Sequence, residues 1–155
     1  MKEQPHAKQP SPKTPAARIL IVDDDTDILD VFPHLFRPGQ YAITMASRGS
    51  LALDLASHHT FDLAFVDYFM DDMNGVVVAQ RLRHAQPHIQ IVLMSGYTFD
   101  DKTEIMASSG ARAFLHKPLK ADYIQALTDR LLTASAPAAP AASSGVSTDS
   151  PPPAG

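Results

Sequence analysis

Four short apolar runs in this chain each end on polar residues that could do chemistry. Ile19-Leu20-Ile21-Val22 leads into Asp23-Asp24-Asp25, and Leu63-Ala64-Phe65-Val66 into Asp67. Ile91-Val92-Leu93-Met94 leads into Ser95, and Phe114-Leu115-His116 into Lys117 and Pro118. Apolar runs of about four residues, bounded by polar or turn residues, suit strands buried on both faces. If those strands are parallel, their carboxyl ends share one edge of a sheet, and Asp23, Asp24, Asp67, Ser95 and Lys117 converge there. Open α/β sheets bind ligands at such an edge. Three ionised carboxylates held close together need a counter-charge or displaced pKa values. A divalent cation bound through oxygen meets that need, and Mg²⁺ suits a shallow site with few carboxylates because it keeps several waters and often binds a substrate phosphate. Lys117 adds a point charge for a phosphoryl oxygen, and Ser95 a neutral hydroxyl donor. The set is suited to phosphoryl transfer onto an aspartate.

The elements that must position these residues follow from periodicity. Strand signals fall near 18–22, 41–45, 62–66, 90–94 and 112–116. Between them, Ile28, Leu29, Val31, Phe32, Leu35 and Phe36 recur at helical spacing. Helices are also expected near 49–58 and 75–84, and more weakly at 100–109. Tyr123, Ile124, Leu127 and Leu131 mark a final helix. Strand–helix alternation repeated five times implies a doubly wound parallel α/β sheet. Gly39, Gly75 and Gly110 fall where turns are expected. Pro33 lies inside the first helical pattern and removes a backbone donor, so a kink or a break before Phe36 is expected.

Composition bounds the function. The ends differ from the middle: residues 1–17 carry Pro5, Pro10, Pro12 and Pro15 without apolar periodicity, and 17 of the 23 residues from 133 to 155 are Ala, Pro or Ser. Neither end buries enough apolar surface to offset the entropy of ordering it. The expectation is one domain at 18–134 between disordered tails at 1–17 and 135–155. Within 18–134 there are 10 Lys/Arg and 15 Asp/Glu, a formal charge of 10 − 15 = −5. An acidic domain argues against a nucleic-acid surface, which needs clustered positive charge. Without cysteine, thiol catalysis and cysteine metal sites are excluded. The N-terminus lacks the apolar core of a signal peptide, and no apolar stretch reaches the length of a membrane span. The expected setting is the cytoplasm, with no membrane contact.

At this point the residues resemble a family, the receiver domains of two-component response regulators. The resemblance runs over about residues 18–134. It rests on Ile19 to Asp25, on Asp67-Tyr68-Phe69-Met70-Asp71-Asp72-Met73-Asn74-Gly75, on Ile91 to Gly96, and on Gly110-Ala111-Arg112-Ala113-Phe114-Leu115-His116-Lys117-Pro118. It implies a flavodoxin-like five-stranded sheet in the order 2-1-3-4-5 with five helices. Asp67 is then the phosphoacceptor, phosphorylated by a histidine kinase or a histidine phosphotransfer protein. Asp24 binds Mg²⁺ directly and Asp23 mainly through water, with Asp67 and the backbone carbonyl of Phe69 among the ligands. Ser95 hydrogen-bonds the phosphoryl group, Lys117 pairs with it, and Phe114 holds the switch position. The Lys117–Pro118 bond is often cis in the family.

The resemblance also implies a phosphoacceptor protein rather than a free-standing enzyme. Its output would be a downstream protein partner, since no output domain is seen in the sequence. Arg112-Ala113-Phe114 lacks the acidic residues through which winged-helix members dimerise, so a monomer is expected. Phe69 and Tyr97 are expected to flank the approach of water to the phosphoryl group, favouring slow self-hydrolysis. Departures from the family are Asp71, where proline is usual, the bulky Tyr68 and Phe69, and Pro33.

Other readings of these residues compete with the chemical one. Asp25, Thr26 and Asp27 fit a helix N-cap without chemistry. His58-His59 and the pair His84 and His88 place no two imidazoles on one helix face and read as solvated surface. Met70, Met73, Met94 and Met106 read as packing residues. A haloacid-dehalogenase phosphatase would require Thr or Val where Asp27 stands. A phosphorylation-independent binding module would not need the intact acidic site.

Overall fold

The computed structural model describes residues 16–135, so the expectations for 1–15 and 136–155 lie outside the described residues. Five strands and five α-helices alternate: β1 (Arg18–Val22), α1 (Thr26–Val31), β2 (Ala42–Ala46), α2 (Gly49–His58), β3 (Leu63–Asp67), α3 (Gly75–Ala85), β4 (Gln90–Ser95), α4 (Lys102–Ser109), β5 (Ala113–His116) and α5 (Ala121–Ser135). All pairings are parallel, in the order β2-β1-β3-β4-β5. The expected boundaries shift by a residue or two, within the fraying of element ends.

The alternation of side chains along each strand divides the core into two layers. Leu20, Val22, Ala64, Val66, Ile91 and Leu93 pack with Ala52 and Ala56 of α2 and Val78, Ala79 and Leu82 of α3. Their neighbours Ile19, Ile21, Leu63, Phe65, Val92 and Met94 pack with Leu29 of α1 and Ile124, Leu127 and Leu131 of α5. Covering both faces is why the strands read as unbroken apolar runs. Burying a large side chain of this kind contributes about 1.5–3 kcal/mol.

Pro33 breaks the first helix before Phe36, as its place in the pattern predicts. α1 ends at Val31, and Phe32–Leu35 form a 3₁₀ turn with Pro33 near its start. Proline has no N–H and would clash with the carbonyl four residues back. The tighter turn still delivers both aromatic residues to the core. Phe32 and Phe36 are buried, with Phe32 lying 4.9 Å from Phe65 and Phe36 meeting Tyr41 edge-on at 5.3 Å between ring centroids.

Geometry requires glycine at positions 110 and 75. Gly110 ends α4 in the left-handed region, at φ 69°, which L-residues with a Cβ adopt only at a cost. Gly75 opens α3, and a Cβ there would lie 2.2 Å from the backbone oxygen of Asp67. Its role is close approach of helix to strand rather than a turn.

Within the described residues, no helix is long and apolar enough to cross a membrane. Thr128 of α5 is fully buried, and its hydroxyl is the one buried side-chain polar atom without a hydrogen-bond partner among the described residues. An unsatisfied buried hydroxyl costs about 1–3 kcal/mol. Thr128→Val should therefore leave stability unchanged or raise it by about 1 kcal/mol in urea denaturation at pH 7. A clear loss would mean the hydroxyl has a partner.

Candidate functional site

The residues singled out by sequence do meet at the carboxyl edge of the sheet. Asp23 directly follows β1, and its N–H donates to the carbonyl of Ala46 at 3.1 Å, extending the ladder one step beyond the strand. Asp67 ends β3 opposite Met94, and Ser95 ends β4 opposite His116. The N–H of Lys117 donates to the carbonyl of Ser95 at 2.8 Å, which carries the lysine over the edge. Its bond to Pro118 is cis.

Lys117 is the hub. Its Nζ lies 2.7 Å from Oδ2 of Asp23 and 3.1 Å from Oδ1 of Asp67. Asp23 is fully buried and Asp67 nearly so. One oxygen each from Asp23, Asp24 and Asp67 lie within 4.8 Å of one another. The Asp25 N–H donates to the other oxygen of Asp23 at 2.9 Å, while the Asp25 side chain caps α1 by accepting from Asp27 N–H. The acidic run thus divides its labour between site and helix cap.

Charge sharing displaces the pKa values. Burial pushes Asp67 up from 3.8 to about 6, helped by the negative charge of Asp23. Lys117 opposes this but is divided between two carboxylates. Burial works against the charge on Lys117 itself, yet its hydrogen bond to Asp23 and the attraction of Asp23 and Asp67 prevail and raise its pKa.

The other expected residues stand close by. Ser95 is buried, and its Oγ accepts from Tyr97 N–H at 3.0 Å. The loop after β3 is closed by Gly75 N–H donating to the carbonyl of Tyr68 at 2.8 Å, with Phe69 paired to Asn74 in an isolated antiparallel bridge. Phe114 is half-buried. It packs edge-on against Phe99 at 5.5 Å, with Lys102 Nζ 5.7 Å from its ring centroid. The histidines at 58, 59, 84 and 88 are exposed and contribute nothing to the acidic cluster.

Three features escaped the sequence reading. Asp71, flagged only as a departure, donates its N–H to Oδ2 of Asp24 at 3.2 Å. Asp72 caps a helix from another part of the chain, its two oxygens accepting from the N–H groups of Gly49 and Ser50 at 3.0 and 2.8 Å. Slight burial works against its charge, but those N–H groups of Ser50 and Gly49 hold its carboxyl below the usual range. The available signal was that α2 begins after Arg48, which supplies no side-chain cap. Phe99 was the third: a lone aromatic in a loop carries no periodicity, yet it joins Tyr68, Phe69 and Phe114 in one ring cluster.

The raised pKa of Asp67 has a measurable consequence. Between about pH 4 and pH 6 the folded state holds a proton that the unfolded chain releases, so this group lowers stability as pH rises through that window. The displacement from 3.8 to about 6 corresponds to at most about 3 kcal/mol. In metal-free buffer, Asp67→Asn should melt at a higher temperature than wild type at pH 7, with the gap closing below pH 5. A gap that does not change with pH would contradict this electrostatic account.

Residues 19–129 match the family model described as response regulator receiver domain. Among curated proteins, the chain is 30% identical over 114 residues to the transcriptional regulatory protein ZraR of Escherichia coli strain K12, covering 74% of this chain and 26% of ZraR. It therefore spans about a quarter of that relative's length. Among solved structures, a CheY-like response regulator receiver domain protein from Methanospirillum hungatei JF-1 superposes with a TM-score of 0.73 at 26% identity, covering 77% of this chain and 96% of that one. A response regulator protein from Burkholderia pseudomallei, solved with a phosphorylated aspartic acid, calcium ion and citrate, gives a TM-score of 0.64 at 27% identity, covering 71% of this chain and 65% of that one. Sheet order, acidic edge and family match agree, and the chain belongs to the response regulator receiver domains of two-component systems.

Proposed function

We propose that this domain is a phosphoacceptor switch in which Asp67 takes a phosphoryl group from a phosphohistidine and the changed domain is read by a protein partner. The observation that carries the reading is Lys117, held by hydrogen-bond distances to both Asp23 and Asp67. A lysine so placed can stay near Asp23 while following a phosphoryl group attached to Asp67. The near-complete burial of Asp67 keeps bulk water from most of its surface.

The donor set fits a hard divalent cation. Asp23, Asp24 and Asp67 each offer an oxygen within one small space, with no His or Cys in the group among the described residues, as suits Mg²⁺ or Ca²⁺. The Phe69 carbonyl, two residues after Asp67, is the fourth protein ligand in this reading. A bound cation would offset the negative charge of the carboxylates and of the incoming phosphoryl oxygens. The Burkholderia relative, solved with a phosphorylated aspartic acid and a calcium ion, supports this reading.

The residues of the chain divide the remaining work. Asp67 supplies the attacking oxygen. Ser95 exchanges its contact with Tyr97 N–H for one in which its hydroxyl donates to the phosphoryl group. Phe114 then repacks and alters the surface of β5 and its neighbouring helices. The protein acts as a substrate that assists its own phosphorylation and not as a turnover enzyme. Its donor is a sensor histidine kinase or a histidine phosphotransfer protein, and its target is a protein and not a nucleic acid.

Three experiments test this. With acetyl phosphate and Mg²⁺, the wild type should gain one alkali-labile phosphoryl group and Asp67→Ala none. Mg²⁺ should raise the melting temperature of the wild type, since a ligand of the native state stabilises it, and Asp24→Ala should lose most of that rise. Label on a serine or histidine would overturn the assignment. The β5 segment Arg112-Ala113-Phe114 offers no acid beside the switch ring, so the phosphorylated domain should remain monomeric in solution scattering. A phosphorylation-dependent dimer through the β5 face would count against that part.

A further inference from the structure

At the edge of the sheet opposite the acidic site, the ends of α3 and α4 and the starts of β4 and β5 border a pocket of about 490 Å³. Three nitrogen-bearing side chains line it from three separate segments: Arg83 from α3, His88 from the turn before β4, and Arg112 from the entry to β5. The guanidinium of Arg83 lies over the turn that ends α4, filling the space in which a side chain at Gly110 would begin. Arg112 is oriented by its Nε, which donates to Oε1 of Gln90 at 2.9 Å.

The charge here runs against the rest of the domain. Acidic residues outnumber basic ones by 15 to 10 between residues 18 and 134, yet no Asp or Glu lines this pocket. Neither guanidinium is in a salt bridge among the described residues. A cation in the last turn of a helix offsets the charge of its free carbonyls, which accounts for Arg83 at the end of α3. It does not account for Arg112, which lies outside any helix and is directed by Gln90. Two guanidiniums lining one pocket without a carboxylate repel each other, and an anion between them relieves that repulsion.

We infer that this pocket is a second ligand site, which binds the phosphate group of a small organic phosphate. Its three donors come from different segments, which suits a tetrahedral oxyanion whose oxygens point several ways. A planar carboxylate is satisfied by one guanidinium fork. His88 offers an N–H whether or not its ring is protonated. Pro87 and Met106 add apolar wall beside the donors for the uncharged part of the ligand, and a volume of about 490 Å³ is that of a small-molecule site. The pocket lies at the amino ends of β4 and β5, whereas Asp67 and Ser95 stand at the carboxyl ends of β3 and β4. The ligand is therefore bound and released unchanged, and the site does not depend on the phosphoacceptor reading of Asp67.

The test is an amide NMR titration of the full chain in metal-free buffer at neutral pH and constant ionic strength. The probes are glycerol phosphate and malonate, a dicarboxylate of similar charge. Glycerol phosphate should shift the amides of Gly110, Ala111 and Arg112 saturably and bind more tightly than malonate. Arg83→Gln and Arg112→Gln should each weaken it by about five- to tenfold, with the remaining amides unmoved as a sign of an intact fold. Arg81→Gln removes an exposed cation of the same helix outside the pocket and should change affinity by less than about twofold. An equal loss in the Arg81 variant would show attraction by general surface charge and overturn the inference. Shifts that do not saturate, shifts centred on the acidic edge, or malonate binding as tightly as the phosphate would overturn it as well.

Discussion

Two buried aspartates share one lysine, and much of the domain is arranged to make that tolerable. Neither Asp23 nor Asp67 could remain charged in a dry environment without a partner. Lys117 reaches both, yet a single positive charge cannot neutralise two carboxylates, and Asp24 stands beside them at the rim. Burial first, and the charge of Asp23 after it, raise the pKa of Asp67. A site that carries unbalanced negative charge is disposed to bind a cation. Stability is given up locally and held elsewhere, in a core covered on both faces of the sheet.

Delivering these groups to one place depends on backbone rather than on side-chain contacts alone. Parallel pairing puts the ends of β1, β3, β4 and β5 on one edge. Single hydrogen bonds just past the strand ends, from Asp23 to Ala46, Tyr68 to Met94 and Lys117 to Ser95, hold the first loop residues in line. Gly75 permits α3 to start against the Asp67 carbonyl, and Asp72 fastens the same loop to the N-terminus of α2. An acid at that end of a helix interacts favourably with its unpaired N–H groups. The β3–α3 loop is therefore anchored on both sides of the residues nearest the site.

The aromatic cluster joins two regions that would otherwise be separate. One end lies at the rim of the acidic site and the other at Phe114 on β5, with Tyr68 and Phe99 between. Rings in edge contact at these distances pack closely against one another. Phe114 packs against Phe99 and is flanked by Lys102, so its packing involves the loop after β4 as well as its own strand.

The sequence by itself determined the alternation of strands and helices and the residues at the strand ends. Both follow from local physics: four-residue apolar runs need cover on two faces, and polar residues stop where the cover stops. The acidic cluster could be foreseen because parallel strands leave their ends no other edge, and the family resemblance supplied strand order and roles. Pro33 announced a break, but packing of Phe32 and Phe36 against Phe65 decided where it fell. Only the tertiary structure decided that Asp72 caps α2, that Gly75 is there for close approach, that Lys117 is divided between two carboxylates, and that Phe99 completes a ring cluster. Those are contacts between segments distant in sequence or in irregular loops, where no period marks a residue and its partner is known only once the chain has folded.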